Sequence, residues 1–123
     1  ATYCPLSTND IVVDGAAQPW LVFETTGRVV QMRFEESAQP SWVGEPLTET
    51  RQKNPAIAFN QRGDRLVAWG ESVSHSRGGR LNLRVFTADG VETAYRLAEQ
   101  IQIANFSFPA VAALADGNFL VLH

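Results

Sequence analysis

Cysteine is almost missing from this chain of 123 residues, which carries Cys4 alone. A lone thiol can form neither an internal disulfide nor a zinc site by itself, so covalent staples are excluded as what holds the fold. Cys4 is left as a small side chain near a strand start, or as half of a pair with a cysteine outside this sequence. Lysine is as scarce. Lys53 is the only one, the arginines are scattered, and the net charge is −3 with a pI near 5.3. Nucleic-acid surfaces need clustered cations, so that class of partner is excluded. No apolar run approaches the roughly 20 residues of a membrane-spanning helix. His75 and His123 are the only histidines. With Glu71 nearby, His75 still falls short of a zinc ligand set, and nothing points to a metal or another cofactor. An initiator Met and a signal peptide are also missing, so a mature product or an excised piece is expected.

What is present is apolar sequence broken by turns. Hydrophobic residues make up 45% and charged residues 19%, the balance of a globular chain. Long helical periodicity is missing. Short β-type runs recur between Gly, Asp and Asn turns, which predicts an all-β fold. The runs also repeat. Asn54-Pro55-Ala56-Ile57-Ala58-Phe59, Arg62-Gly63-Asp64 and Leu66-Val67-Ala68-Trp69 match Phe108-Pro109-Ala110-Val111-Ala112-Ala113, Asp116-Gly117-Asn118 and Phe119-Leu120-Val121-Leu122. A fainter copy runs from Cys4-Pro5-Leu6 through Asp14-Gly15 to Trp20-Leu21-Val22-Phe23. Each unit opens with proline, which a sheet tolerates at a strand start. The turn residues accept positive φ.

Two units continue into further strands. Arg28 to Phe34 alternates, and from Arg80 to Phe86 Leu81, Leu83 and Val85 face one way while Arg80, Asn82 and Arg84 face the other. After Ala88-Asp89-Gly90, Val91 to Leu97 alternates again and reads as a polar fourth strand at a sheet edge. Ala56 to Phe59 is apolar throughout, so that strand is expected to be covered on both faces. A four-stranded meander repeating about every 50 residues predicts β-propeller blades. The blades fall at about 4–50 and 51–102, with a half blade at 103–123, giving a partial propeller of about two and a half blades. A β-sandwich is the runner-up, but it does not require in-phase repeats. A blade face of about 300 Å² left bare at each end predicts an obligate neighbour, either the N-terminal remainder of the propeller or a second copy.

"CPLST" at Cys4–Thr8, "NPAIAFNQRGDRLVAWGE" at Asn54–Glu71, "RGGRLNLRVFTADG" at Arg77–Gly90 and "FPAVAALADGNFLVLH" at Phe108–His123 give the chain a family resemblance. It resembles the bacterial neuraminidase-repeat, or sialidase-like, six-bladed propellers, above all their C-terminal blades. The resemblance implies a non-catalytic scaffold or recognition module of an exported bacterial protein, in the periplasm or outside the cell. Alternatives are part of a sialidase-like glycoside hydrolase and a small homo-oligomeric, lectin-like propeller. The departures bear on activity. The family's Ser-x-Asp-x-Gly-x-x-Trp box is missing, and the Tyr nucleophile, Asp acid and three substrate-binding arginines of its enzymes have no counterpart set here. Tyr3 sits at the start of the sequence and Tyr95 on an outer run, so no catalytic residue is assigned.

In propellers, loops between strands two and three share the ligand face with the connections between blades. The loop Gly70 to Arg80, "GESVSHSRGGR", is much longer than its counterpart Glu24-Thr25-Thr26-Gly27. Glu71, His75 and Arg77 are therefore expected to converge with Arg51, Lys53 and Asn54 on a carbohydrate or protein ligand. The same residues also fit an ordinary surface loop. Arg62-Gly63-Asp64 spells an integrin-binding tripeptide, but it falls where the hairpin needs Gly and Asp, and turn chemistry accounts for it. Asn105-Phe106-Ser107 matches a glycosylation sequon and is read as accidental. Trp20, Phe23, Trp69, Phe86 and Phe119 are assigned to packing between blades. Trp42, outside the aligned positions, is the aromatic to inspect for exposure.

Overall fold

The computed structural model describes residues 8–45 and 51–123. The expectations placed on Tyr3, Cys4 and Pro5 lie outside the described residues. The fold is all-β and antiparallel, with no helix among the described residues. Sheet one is the meander β1 (Asp10–Val13), β2 (Pro19–Thr25), β3 (Arg28–Arg33), β4 (Ser41–Trp42). Sheet two repeats that order with β5 (Gln52–Phe59), β6 (Arg65–Glu71), β7 (Gly79–Phe86) and β8 (Gln102–Ile103). The last sheet is a hairpin of β9 (Ala110–Ala113) and β10 (Phe119–Leu122).

The repeat is clearest in the first turn of each unit. Asp14 N–H donates to the Gln18 carbonyl at 2.9 Å and Ala17 N–H to the Asp14 carbonyl at 3.0 Å. Asn60 and Asp64, with Gly63, make the same pair of bonds, as do Leu114 and Asn118, with Gly117. The third residue after the first is left-handed in each case: Ala17 at φ 60, Gly63 at φ 84 and Gly117 at φ 89. This is a type I turn closed by a bulge residue in the left-handed region. The phase it sets differs from the sequence match in the first unit. Ala17, not Gly15, corresponds to Gly63 and Gly117. Asn9 takes the place of Pro55 and Pro109, and Trp20, Leu66 and Leu120 are equivalent.

Alternation then assigns side chains to layers. Val22, Val29 and Val43 of sheet one pack with Ile57, Val67, Trp69 and Phe86 of sheet two, and Trp20 leans on Phe59 with ring centroids 5.6 Å apart. Leu66, Ala68, Leu81 and Leu83, on the opposite face, meet Val111, Phe119 and Val121 of the hairpin. Sheet two is thus the middle layer, and every residue of β6 is buried. Ala56, Ile57 and Ala58 are buried too, as their unbroken apolar run predicts, while Phe59 is partly covered. The split of β7 into Leu81, Leu83 and Val85 against Arg80, Asn82 and Arg84 is found as read.

The fourth strand of sheet two is not where alternation places it. From Val91 to Leu97 only Glu92 bridges to Phe86, and the paired strand is Gln102–Ile103. Val91 and Tyr95 are too exposed to hold a strand by burial. The Arg96 guanidinium donates to the Thr93 and Tyr95 carbonyls at 3.2 and 2.7 Å, which curls the segment. Leu97 and Ile101 then join the apolar cluster over β7, and the Ile101 carbonyl accepts Leu81 N–H at 2.8 Å. Burying those two side chains outweighs extending the ladder.

Apolar surface remains at both ends of the stack. Ile11 is 61% exposed and Trp42 50% on sheet one, and Leu122 is 61% exposed on the hairpin. The Arg28 guanidinium covers the Trp42 ring at 4.3 Å.

Candidate functional site

The start of β5, the loop joining β6 to β7, and residues 104–108 meet at one end of the molecule. Tight glycines set the loop's return. A Cβ on Gly79 would collide with the Glu71 carbonyl, and one on Gly78 would lie 2.5 Å from the Ile103 carbonyl. Ser72 turns left-handed at φ 62, and its N–H donates to the Arg51 carbonyl at 2.9 Å. The Arg77 side chain closes the loop, its Nε donating to the Ser72 carbonyl at 3.2 Å. Phe106 N–H reaches the Ser74 carbonyl at 3.4 Å, and Asn105 Nδ2 reaches the His75 carbonyl at 3.3 Å.

Two adjoining clefts result, sharing Lys53, Val73 and Ser74. One, of ≈ 210 Å³, is completed by Arg51, Ser72 and Arg77. The other is narrower and is completed by Asn54, His75, Phe106 and Phe108. The structure therefore brings together five of the six residues singled out in the sequence: Arg51, Lys53, Asn54, His75 and Arg77. The aliphatic stem of Arg51 rests on Gly27, where a Cβ would stand 3.2 Å from its Cγ, so the short β2–β3 turn backs the Arg51 side chain.

Glu71 is the residue set apart. It is 2% exposed and accepts hydrogen bonds from Arg80 Nε at 2.7 Å, Asn82 Nδ2 at 2.7 Å and Trp69 Nε1 at 3.2 Å. All three donors lie on its own sheet, so this carboxylate joins β6 to β7 and is not spent on the cations of the cleft. Asn54 is also engaged. It is left-handed at φ 55 within a bulge of β5, accepts Thr8 N–H at 3.3 Å, and donates to the Ser107 carbonyl at 3.4 Å. One buried amide thereby ties the starts of all three units.

What remains open is cationic. Among the described residues no carboxylate lies within ion-pair distance of Arg51, Lys53 or Arg77. The Ser72 and Ser74 side chains line the same wall. These two serines and the Phe106 and Phe108 wall were not singled out in the sequence, although the spacing Ser72, Ser74, Ser76 marks a polar loop. The arrangement suits an anionic group held by charge-assisted hydrogen bonds.

Comparison with protein-family models, curated proteins and solved structures finds no match.

Among the described residues no three of His, Cys, Asp and Glu gather as a metal site would require, and no helix is long and apolar enough to cross a membrane.

Proposed function

We propose that this chain is a non-catalytic recognition and scaffold module, a segment of β-propeller whose working surface is the cleft between Arg51, Lys53 and Arg77. The observation that carries the reading is that these three cations line one cleft while the nearest buried carboxylate, Glu71, is committed to Arg80 and Asn82. The propeller reading is supported by meanders in chain order, a shared turn geometry, and first strands β1, β5 and β9 in sequential contact. The ligand is an anionic group on a carbohydrate or a protein. The resemblance to sialidase-like propellers extends the proposal to a place within an exported bacterial protein.

The test is an NMR titration with glucuronate and, in parallel, neutral glucose at millimolar concentration. Amide shifts at Lys53, Ser72 to Arg77 and their neighbours are expected with the acid alone, weakening as salt is added. Arg77→Ala combined with Lys53→Ala should abolish them. Equal shifts with glucose, or none with glucuronate, would overturn the reading.

A further inference from the structure

At the other end of the stack, on the face of sheet two turned away from sheet one, a cleft of ≈ 680 Å³ opens beside β10. Its floor is Leu81, Leu83 and Val85, and its walls are Phe119 and Val121 on one side and Tyr95 on the other. The turn phase makes β10 the counterpart of β2 and β6. Both of those pair along their second edge with a third strand, and the Pro19 carbonyl of β2 accepts Phe34 N–H at 2.8 Å there. The equivalent residue of β10 is Phe119, yet among the described residues β10 pairs with β9 alone. An apolar cleft and an unpaired strand edge therefore lie side by side, where the other two units place their third and fourth strands.

We propose that the edge of β10 and this cleft together receive a two-stranded β-hairpin from a polypeptide segment outside residues 1–123. Its first strand runs antiparallel to β10, and its alternate apolar side chains sit on Leu81, Leu83 and Val85. The packing of sheet one on sheet two is the template. There sheet one holds the place of the cleft floor, and the third strand laid over it is β7, which contributes Phe86 to the apolar layer. Residues 1–7 and 46–50 are each too short for two strands and a turn. A second copy does not fit either. Its β3 and β7 are paired on both edges. If it offered β10 instead, the twofold axis of an antiparallel pair would stand perpendicular to the joint sheet. Both four-stranded sheets would then fall on one face and overlap. An open edge over an apolar face is the arrangement that strand addition uses.

The experiment extends the full chain past His123 with a copy of residues 24–44, the β3–β4 segment. By turn phase His123 stands where Phe23 stands in sheet one, so the copies of Val30, Met32 and Trp42 land on the cleft. Amide hydrogen exchange at Phe119 and Val121 should slow by at least about tenfold. The effect should vanish when the copied Val30 and Met32 are Asp. If the extended chain does not fold, a synthetic peptide of residues 24–44 added to the original chain provides the same reading. Unchanged exchange at Phe119 and Val121 in whichever form is measured overturns the proposal. So does concentration-dependent protection of those amides in the unextended chain, which would make a second copy the occupant.

Discussion

Arg65 is a charged side chain used as core. Its guanidinium lies between the rings of Trp20 and Phe86, 4.4 Å from each centroid, and its Nε donates to Gln31 Oε1. Burial lowers its pKa to about 10, so it stays protonated at neutral pH and binds sheet one to sheet two as a cation over aromatic faces. Glu71 plays the opposite part within one sheet, and its removal strands three donors. Glu71→Ala is expected to cost on the order of 3 kcal/mol in urea denaturation, because Arg80 and the buried Trp69 indole lose their acceptor. Full stability in that variant would place the carboxylate among ligand-binding groups instead. The turn aspartates set the acid limit. Partial burial pushes the Asp14 carboxyl up, but hydrogen bonds from Gln18, Trp20 and Ala16 outweigh it and leave the pKa lowered. Hydrogen bonds from Asn60 and Arg62 lower that of Asp64. A carboxyl depressed in the folded state contributes stability that is present above its unfolded pKa and lost as pH falls through the folded one. Thermal melts should therefore hold steady down to about pH 4 and decline below it. Asp64→Asn should flatten that decline, and an unchanged slope would show that the turn carboxylates do not carry it.

At the scale of the element, the β6–β7 connection joins stability to the cleft. Gly79 has no space for a methyl group against the Glu71 carbonyl and the Ser72–Val73 backbone. Gly79→Ala should therefore displace the loop, shift the amide resonances of Ser72 to Arg77, and lower the melting temperature by several degrees. Gly90→Ala is the contrast, because nothing lies within 4 Å of a Cβ there and only the strain of its φ of 82° acts. These elements differ in how much the sequence reveals. β7 is legible because Leu81, Leu83 and Val85 alternate with Arg80, Asn82 and Arg84 up to Phe86, which joins the core against sheet one. The strand at Gln102–Ile103 is not, because two residues carry no period and the better-patterned Val91 to Leu97 is drawn off by the burial of Leu97 and Ile101. The first turn is misread because Ala17, a residue without a glycine's signature, takes the left-handed position. Five residues of the candidate site are legible from one unusually long loop and its neighbours. The fate of Glu71 is not, since its partners Arg80 and Asn82 meet it only once the β6–β7 register, with Glu71 opposite Arg80, is known.

Across the whole molecule, burial falls away from the middle layer. Every residue of β6 is covered, whereas β9 is exposed at three of its four residues and β10 alternates between half-buried and exposed. Both sides of sheet two are packed, but only one face of the hairpin is. Local opening follows contacts of this kind, and a segment with few buried apolar side chains opens at a lower free energy than the global value. Native-state hydrogen exchange should therefore find two cooperative units. Amides of β5, β6 and β7 should exchange near the global unfolding free energy, with β2 and β3 beside them through Trp20, Val22 and Val29. Amides of β9 and β10 should open at least about 1.4 kcal/mol below it, a tenfold difference in exchange. Trp69→Ala, which empties the centre of the first core, should lower the protection of sheets one and two by about 3–5 kcal/mol and so erase the gap, with β9 and β10 then exchanging by the same global unfolding as β6. If β9 and β10 instead exchange as slowly as β6 in the isolated chain, the hairpin has a cover of its own, and its free edge is not what limits the fold.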